Sequence, residues 1–342
     1  MRNILILTPF FTPNIGGAET FIDQLTKEAS KWFQITVLTF MPFRGKASSF
    51  QESYTKNGSL KVFRMRWLIR PPKVWKGVSL TNMLLVFPKM ALCSFLLCLK
   101  NKFEIVHSQG LLSGLVGVFI AKIFHCKHYM TLLALYKFKE WSGIKRLVAK
   151  YIFNNCHIIF VEGENGKKDI KWISQEPDKI RIFTHWCDQK VFKPDPNRLN
   201  DKIRVLYIGR PIPEKGMHIV QAAERVLNNP KYEFTYVTNA KHSDLPKIYQ
   251  RHHILVVPSQ YDEGHTRVVV EGASCGCAVI TSDRGSLPEQ VREFGTVVGS
   301  PLAWEATIRN ITKSNEDLAL LYARNHFSNE NAEVFLNAYT YD

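Results

Sequence analysis

Residues 254–275, ILVVPSQYDEGHTRVVVEGASC, decide the fold, because they pass from an apolar run through a polar loop into a second apolar run. The first run, Ile254–Val257, is short and rich in β-branched residues, which predicts a buried strand. The second run begins at Val268 and predicts a helix. A strand that leads through a short loop into a helix is the unit of a doubly wound α/β fold.

Two carboxylates, Glu263 and Glu271, stand eight positions apart in this stretch, the first on the predicted loop and the second inside the predicted helix. The residues between them fall at the helix start, where backbone amides lack partners and the helix dipole is positive. These residues are Gly264, His265, Thr266, which is the predicted N-cap, and Arg267. Carboxylates and an anion-binding turn together suit a sugar nucleotide. An ordinary surface helix is the alternative, since this spacing also arises by chance.

A second strand end carries two cations. In residues 203–216, IRVLYIGRPIPEKG, a predicted strand ends at Gly209, and Arg210 and Lys215 follow before the next helix. Two like charges on one loop repel each other unless an anion lies between them, and a diphosphate would satisfy both. Two solvated loop charges are the alternative.

Strands and helices alternate through most of the chain, which predicts an α/β protein with two doubly wound, Rossmann-like domains. The two prolines in residues 192–197 break the pattern and place the domain junction there. Predicted strands lie at 4–7, 35–40, 105–109, 157–162, 204–208, 233–237, 254–257, 278–281 and 296–298, and a final helical stretch at 327–341. Ligands of such domains bind beyond the carboxyl ends of the strands.

Three stretches resemble the retaining family-4 glycosyltransferases, which have the GT-B architecture. They are TPFFTPNIGGAETFIDQL at 8–25, GRPIPEKG at 209–216 and EGHTRVVVEGASCGCAVITSDRGSLPEQV at 263–291. The resemblance implies two Rossmann-like domains that face a cleft, with a C-terminal helix that crosses back to the first domain. Residues 1–190, with 327–342 packing back on them, would bind the acceptor, and residues 191–326 would bind the nucleotide-sugar donor.

The resemblance also implies a role for individual residues. Arg210 and Lys215 would bind the donor diphosphate, Glu271 the ribose hydroxyls, and Glu263 would lie near the transferred sugar, with residues 264–267 at the donor. Gly16 and Gly17 would lie near the phosphates. The implied reaction is retaining transfer of a sugar from a nucleotide diphosphate sugar to an acceptor hydroxyl. Neither a cofactor nor a metal ion is expected, and the sequence has no Asp-x-Asp pair.

His107 is the candidate catalytic histidine, because it ends a predicted strand, IVHSQ, and would face the cleft. A structural histidine with satisfied hydrogen bonds is the alternative. The family commonly has further histidines where this chain has Gln109 and, in a later strand, the segment 129–133. His185 also departs from the family pattern.

The formal charge of +15 is confined to the first half. Residues 1–190 contain 28 Lys and Arg against 12 Asp and Glu, whereas residues 191–342 contain 17 against 18. Residues 53–103 contain no acidic residue, and their cations alternate with apolar side chains. These residues are Lys61, Arg64, Arg66, Arg70, Lys73 and Lys76, with Phe63, Met65, Trp67, Leu68, Ile69 and Trp75. An anionic membrane surface with a lipid-linked or glycan acceptor is the expected partner, and no nucleic acid is expected. A solvated face is the alternative.

Length and composition fit a two-domain enzyme, since 342 residues with 45% hydrophobic content can bury two cores. We expect a cytoplasmic protein, peripheral on the inner face of the membrane, because no signal peptide is visible and the seven cysteines show no paired C-x-x-C spacing. A sugar-nucleotide epimerase or hydrolase on the same scaffold and a catalytically inactive nucleotide-sugar-binding protein remain the alternatives.

Overall fold

The structure, a computed structural model of the 342-residue chain, describes residues 1–14, 16–42, 51–53, 59–67, 80–174 and 176–341. The chain divides into two compact units. Unit 1 comprises Met1–Val161, Gly166–Phe183 and Ala332–Asp342. Unit 2 comprises Glu162–Asn165 and Thr184–Asn331.

Unit 1 is built on a sheet to which eight strands of the described residues belong, in the order β3-β4-β2-β1-β5-β6-β7-β8. The strands are β1 Asn3–Leu7, β2 Gln34–Phe40, β3 Gln51–Ser53, β4 Leu60–Met65, β5 Ile105–Gln109, β6 Lys127–Leu132, β7 Ile158–Glu162 and β8 Ile180–Phe183. Among the registered pairs, β3 and β4 run antiparallel and the others run parallel. Strand β1 buries an apolar run, as expected of a parallel sheet covered by helices, whereas β5 and β6 also bury polar side chains, among them His107 and His128.

Helices connect these strands. They are α1 Gly17–Ala29, α2 Leu80–Lys100, α3 Gly110–Phe124, α4 Gly143–Asn154 and α5 Gly163–Ile170. Helix α1 buries Phe21, Ile22 and Leu25, which recur at helical spacing. Phe33 lies beyond the end of this helix and is also buried.

A last helix returns to unit 1. Helix α12, Glu333–Tyr341, follows residues of unit 2 and packs its aromatic side chains on the unit 1 sheet. Phe335 stacks on Phe160 at 4.2 Å between ring centroids, and Arg2 donates to the carbonyl of Tyr339 at 2.7 Å. The expected return of a C-terminal helix to the first domain is confirmed.

Unit 2 has a parallel sheet in the order β10-β9-β11-β12-β13 across the described residues. Its strands are β9 Ile203–Ile208, β10 Tyr232–Val237, β11 Ile254–Val257, β12 Ala278–Ser282 and β13 Thr296–Val298. Its helices are α6 Met217–Leu227, α7 Leu245–Gln250, α8 Arg267–Ser274, α9 Leu287–Val291, α10 Trp304–Arg309 and α11 Lys313–His326. The strand order reverses between β9 and β11, and this topological switch point is where doubly wound sheets bind ligands.

The expected class, α/β with two Rossmann-like sheets, is confirmed. Strand β4 was missed from sequence, because its alternating cations predicted a basic surface rather than a strand. Each of the predicted strands is present to within a residue or two at its ends.

Candidate functional site

Lys215 and Glu263 form an ion pair at the switch point of unit 2. The Lys215 ammonium lies 2.6 Å from Glu263 Oε1, and both side chains are largely buried. Gly216 makes this approach possible, because its φ of 72° is unfavourable for other residues and a Cβ there would lie 1.9 Å from the carbonyl oxygen of Pro258. The loops that follow β9 and β11 therefore touch, and Lys215 reaches the carboxylate.

Glu263 is held by two further donors that sequence reasoning missed. The Ser259 hydroxyl donates to Oε1, and the Tyr261 hydroxyl donates to Oε2 at 2.8 Å. The only signal in the sequence is that both precede Glu263 on the same loop. Burial lowers the pKa of Lys215, but the Glu263 carboxylate and the Tyr261 hydroxyl outweigh burial, so the pKa lies above its ordinary value. Lys215 is therefore charged at neutral pH.

Segment 283–289 holds the Glu263 loop from the other side. The amide of Ser286 donates to the Glu263 carbonyl at 2.8 Å, and the amide of Gly285 donates to Asp262 Oδ1 at 3.2 Å. Gly285 has a φ of 60°, and a Cβ there would lie 2.3 Å from the Glu263 carbonyl oxygen. The segment thus fixes the backbone that carries Glu263.

Arg210 differs from Lys215. Its side chain is exposed, and its guanidinium group has no ion-pair or hydrogen-bond partner among the described residues. In the free protein Glu263 compensates the charge of Lys215, and the expectation that one diphosphate binds both cations stays a prediction. Arg210 is the cation of this loop that is open to an external anion.

Glu271 lies inside α8, as expected, in a buried network. Its side chain is 2% exposed, and it accepts three hydrogen bonds from protein donors. His242 Nε2 donates to Oε1 at 2.9 Å, Arg267 donates to Oε1 at 3.2 Å and the Tyr249 hydroxyl donates to Oε2 at 3.1 Å. Burial raises the pKa of Glu271, but the bond from His242 and the charge of Arg267 reverse this effect, so the pKa lies below its ordinary value.

Two backbone amides in the turn between Glu263 and Glu271 already have hydrogen-bond partners. The amide of His265 donates to Glu162 Oε2 at 3.1 Å, and that of Thr266 donates to the side-chain oxygen of Gln290 at 2.8 Å. The prediction of free amides is therefore wrong at these two positions. Thr266 is the N-cap of α8, but its side chain makes no capping bond, and the Arg267 side chain is buried against Glu271.

His265 is itself buried, and both of its ring nitrogens lack a hydrogen-bond partner among the described residues. Burial lowers its pKa. Beside it, His185 bonds Glu162 Oε1 through Nε2 at 2.7 Å. His185 is thus a buried partner of Glu162, and Gly264 completes the turn.

His107 is a core residue of unit 1. It is fully buried, its Nδ1 bonds the Tyr339 hydroxyl and its Nε2 bonds the Thr131 hydroxyl at 2.7 Å. Burial lowers its pKa to about 3. The prediction that it faces a cleft is wrong, because His107 lies in the middle of β5 and its ring is covered by Phe335 and Tyr339 of α12.

The two glycines of the opening loop lie at the start of α1. Gly16 is the N-cap with extended backbone, and a Cβ there would lie 2.2 Å from the carboxylate of Glu19. Gly17 is exposed at the first helical position. Their role at a phosphate stays a prediction.

The basic stretch after residue 53 is only partly a surface. Arg64 is buried, and Trp67 stacks on Phe40 at 4.0 Å and donates to the carbonyl of Met41. Both were expected on an exposed basic surface. Instead Arg64 is buried within strand β4, and Trp67 packs on Phe40 just after that strand. Lys61 and Arg66 are exposed. The predicted contributions of Leu68, Ile69, Arg70, Lys73, Trp75 and Lys76 lie outside the described residues.

Within the described part of the chain, no group of three or more His, Cys, Asp or Glu side chains could hold a metal ion. No helix among the same residues is long and apolar enough to span a bilayer.

Part of the chain is similar in sequence to known glycosyltransferases. Residues 229–333 match the family model described as glycosyl transferases group 1. A human subunit of phosphatidylinositol N-acetylglucosaminyltransferase is 22% identical over 332 residues, and the match covers 88% of this chain and 66% of the human protein. The chain thus spans just under two thirds of that relative's length. The Bacillus subtilis spore coat protein SA is 28% identical over 121 residues, which cover 35% of this chain and 26% of that protein.

Solved structures share the fold. The sucrose-phosphate synthase of Thermosynechococcus elongatus has a TM-score of 0.83 at 19% identity, covering 99% of this chain and 98% of that one. Anabaena HepE in complex with UDP has a TM-score of 0.75 at 14% identity, again over 99% and 98%. With a segment that matches the group 1 model and two Rossmann-like units, the chain is similar to glycosyltransferases of GT-B fold.

Proposed function

We propose that this protein transfers a sugar from a nucleoside diphosphate sugar to a hydroxyl of a lipid-linked acceptor, with retention of the anomeric configuration. The Lys215–Glu263 ion pair beside the exposed Arg210, at the switch point of the unit 2 sheet, carries the proposal. The human relative is named for phosphatidylinositol and N-acetylglucosamine, and HepE was solved with UDP. The first name supports a lipid as the acceptor, and the second supports a nucleotide sugar as the donor.

In the proposed mechanism the cations of this loop stabilise the departing diphosphate. The Lys215 ammonium has three N–H donors, so it serves a phosphate oxygen while it stays bonded to Glu263. Arg210 contributes a planar fork from the solvent side. Each such contact stabilises the transition state by about 2.7–4 kcal/mol. This mechanism uses no metal ion and no cofactor.

Glu263 orients the transferred sugar rather than attacking it. Ser259, Tyr261 and Lys215 all donate to its carboxylate, which fixes its position and makes it a poor nucleophile. The acceptor hydroxyl attacks from the side of the leaving group, and its proton passes to the departing phosphate. Glu271 serves the ribose of the donor.

An inactive nucleotide-sugar-binding protein is the second candidate. The observation that favours it is His107, because the candidate catalytic histidine is buried and has its hydrogen bonds satisfied. The burial of His107 does not affect the candidate donor residues, which belong to unit 2.

A two-step experiment separates these functions. A panel of common nucleotide sugars is first screened by thermal shift, since a ligand at a hundredfold excess over its dissociation constant stabilises the protein by about 2.7 kcal/mol. The sugar nucleotide that binds is then incubated with and without vesicles of phosphatidylinositol. Transfer that requires the lipid supports the proposal. Tight binding without turnover identifies the binding protein, and turnover without an acceptor identifies an epimerase or hydrolase.

The outer helices of unit 1 support a membrane-surface acceptor. Helix α4 exposes Ile144, Leu147 and Tyr151, which lie on one face by their spacing, and α4 contains no acidic residue. Helices α2 and α3 expose more apolar side chains of the same kind: Leu92, Leu96, Leu99, Phe119 and Ile123. Exposed apolar faces mark interaction sites, and flanking lysines favour anionic lipid.

Lysines lie beside this apolar surface. Lys122 donates to the Tyr151 hydroxyl at 3.1 Å, and Lys145 lies 3.7 Å from the centre of the Trp141 ring. Each cation near an anionic bilayer contributes about 1 kcal/mol, and the apolar side chains add a part that salt does not screen. The docking surface we propose is therefore the exposed face of α4 with its neighbours.

Vesicle co-sedimentation tests the surface. We expect binding that rises with anionic lipid content and falls, though not to zero, at high salt. Ile144→Glu with Leu147→Glu should remove it and leave nucleotide-sugar binding intact, because the proposed donor residues belong to unit 2. Leu302→Glu is the matched control, an exposed leucine of unit 2. Equal binding to neutral and anionic vesicles would contradict the proposal.

A further inference from the structure

His242 lies at the carboxyl edge of the unit 2 sheet, on a short 3-10 turn, His242–Asp244, after β10. Its ring packs against Phe192 at 5.4 Å between ring centroids. Its Nε2 donates to Glu271 Oε1 at 2.9 Å. The sequence gives no signal for this contact, because the two residues lie 29 positions apart and belong to different elements.

The Glu271 carboxylate is close to saturated. A carboxylate offers about four acceptor positions. Protein donors use three of them: His242 and Arg267 on Oε1, and Tyr249 on Oε2. One position is left. A ribose presents two hydroxyls, so a carboxylate that accepts from both must first lose one protein donor.

The three donors differ in how easily they can leave. The Tyr249 side chain is fully buried and that of Arg267 is 6% exposed, whereas that of His242 is 37% exposed. Moving Tyr249 or Arg267 would open the core around α8, and Arg267 would leave a buried charge without its partner. The imidazole of His242 can rotate into water at the cost of one hydrogen bond. It is the donor that can be exchanged.

We propose that His242 occupies the ribose position of Glu271 in the free protein and gives it up when a nucleotide binds. The inference rests on the proposed function, because it takes Glu271 as the ribose acceptor. His242 thereby acts as a specificity residue: a ligand with both ribose hydroxyls replaces the lost bond. A 2′-deoxy ligand, with one hydroxyl, can use the one free acceptor position and leave His242 in place, so the cost of displacing His242 falls mainly on the ribonucleotide.

Calorimetry with UDP, ADP and GDP and their 2′-deoxy counterparts tests this exchange. His242→Ala removes the competing donor, so the ribonucleotide that binds the wild type should bind roughly three- to tenfold more tightly, the size of one hydrogen bond. The 2′-deoxy ligand should gain less. His242→Gln restores an N–H donor and should return the ratio toward that of the wild type. Ser243→Ala, on the same turn and exposed, is the matched control.

The outcomes separate the two proposals. Weaker or unchanged ribonucleotide binding by His242→Ala, while the wild type keeps its ribose preference, overturns the exchange and leaves the proposed function standing. Equal gains for ribose and deoxyribose ligands overturn it too. A wild type that binds none of these diphosphates overturns the proposed function itself. Thermal unfolding of each variant shows that the protein is folded.

Discussion

Replacing Lys215 by Met is expected to destabilise unit 2 and to weaken diphosphate binding. The change leaves the Glu263 carboxylate buried without its cation. Breaking a buried pair by removing one partner costs about 3–5 kcal/mol. Lys215 is 21% exposed and Glu263 keeps the donors Ser259 and Tyr261, so we expect about 2–3 kcal/mol.

Chemical denaturation of four proteins measures this effect. The wild type, Lys215→Met, Glu263→Gln and the double variant form a mutant cycle, and the double variant should lose less than the sum of the single losses. Lys247→Met, at an exposed lysine of the same unit, is the control and should stay within about 0.5 kcal/mol. A loss no larger than that of the control, or additive losses in the cycle, would refute the reasoning.

The pH dependence of the same difference gives a second readout. The pKa of Lys215 lies above its ordinary value of 10.5 in the folded protein. A raised pKa means that the stabilisation is fully present below pH 10.5 and is lost as the pH rises through the folded value. The gap between wild type and Lys215→Met should thus be constant from neutral pH upwards and narrow only above pH 10.5.

Three further predictions concern the other site residues. Arg210→Ala should weaken the binding of a nucleoside diphosphate by roughly 1.5–3 kcal/mol. It should leave the binding of the bare nucleoside and the free energy of unfolding unchanged, because the side chain is exposed. Calorimetry that shows equal losses of affinity for both ligands would contradict the assignment of Arg210 to the diphosphate. Glu271→Gln should reduce the preference for ribose over deoxyribose. Since the pKa of Glu271 is depressed, its charged form stabilises the fold above pH 4.5, and denaturation should show this advantage over Glu271→Gln disappearing as the pH falls through the folded value. The pKa of His107 is lowered to about 3, so the stability of unit 1 should fall as the pH drops from 6.5 toward 3, and His107→Gln, which keeps a donor and an acceptor but does not titrate, should flatten that slope; an unchanged acid profile would contradict it.

The fold could be predicted where local pattern and buried environment agree. Strands β5 and β11 were bounded correctly, because β11 is an apolar run that ends before Pro258 and β5 begins with two apolar residues and ends before Gly110. Strand β4 was missed because Arg64, a buried residue, was interpreted as a surface charge beside Lys61 and Arg66. The alternation of apolar and charged residues in β4 is also the period-2 pattern of a strand. The interpretation followed the charge excess of the first half instead of this pattern.

The sequence predicts which strand ends carry the candidate site residues, but it does not predict the contacts between those residues. The loops of Lys215 and Glu263 follow from strand ends, but their contact depends on Gly216 against Pro258, which no local pattern shows. The environment of His107 depends on Tyr339, which lies 232 residues away. Such pairings arise from tertiary packing and are absent from the sequence neighbourhood of either residue.

The return of α12 to unit 1 has a consequence for biosynthesis. Unit 1 is not contiguous, because about 150 residues of unit 2 are made between Phe183 and the strand-covering Phe335 and Tyr339. At roughly 5–20 residues per second, the ribosome needs about 7–30 s to cross this interval. Throughout it, Phe160 and His107 lack the aromatic side chains that later cover them. The first half of the chain therefore leaves the ribosome with an incomplete core and must be kept from aggregating until the second half has been made.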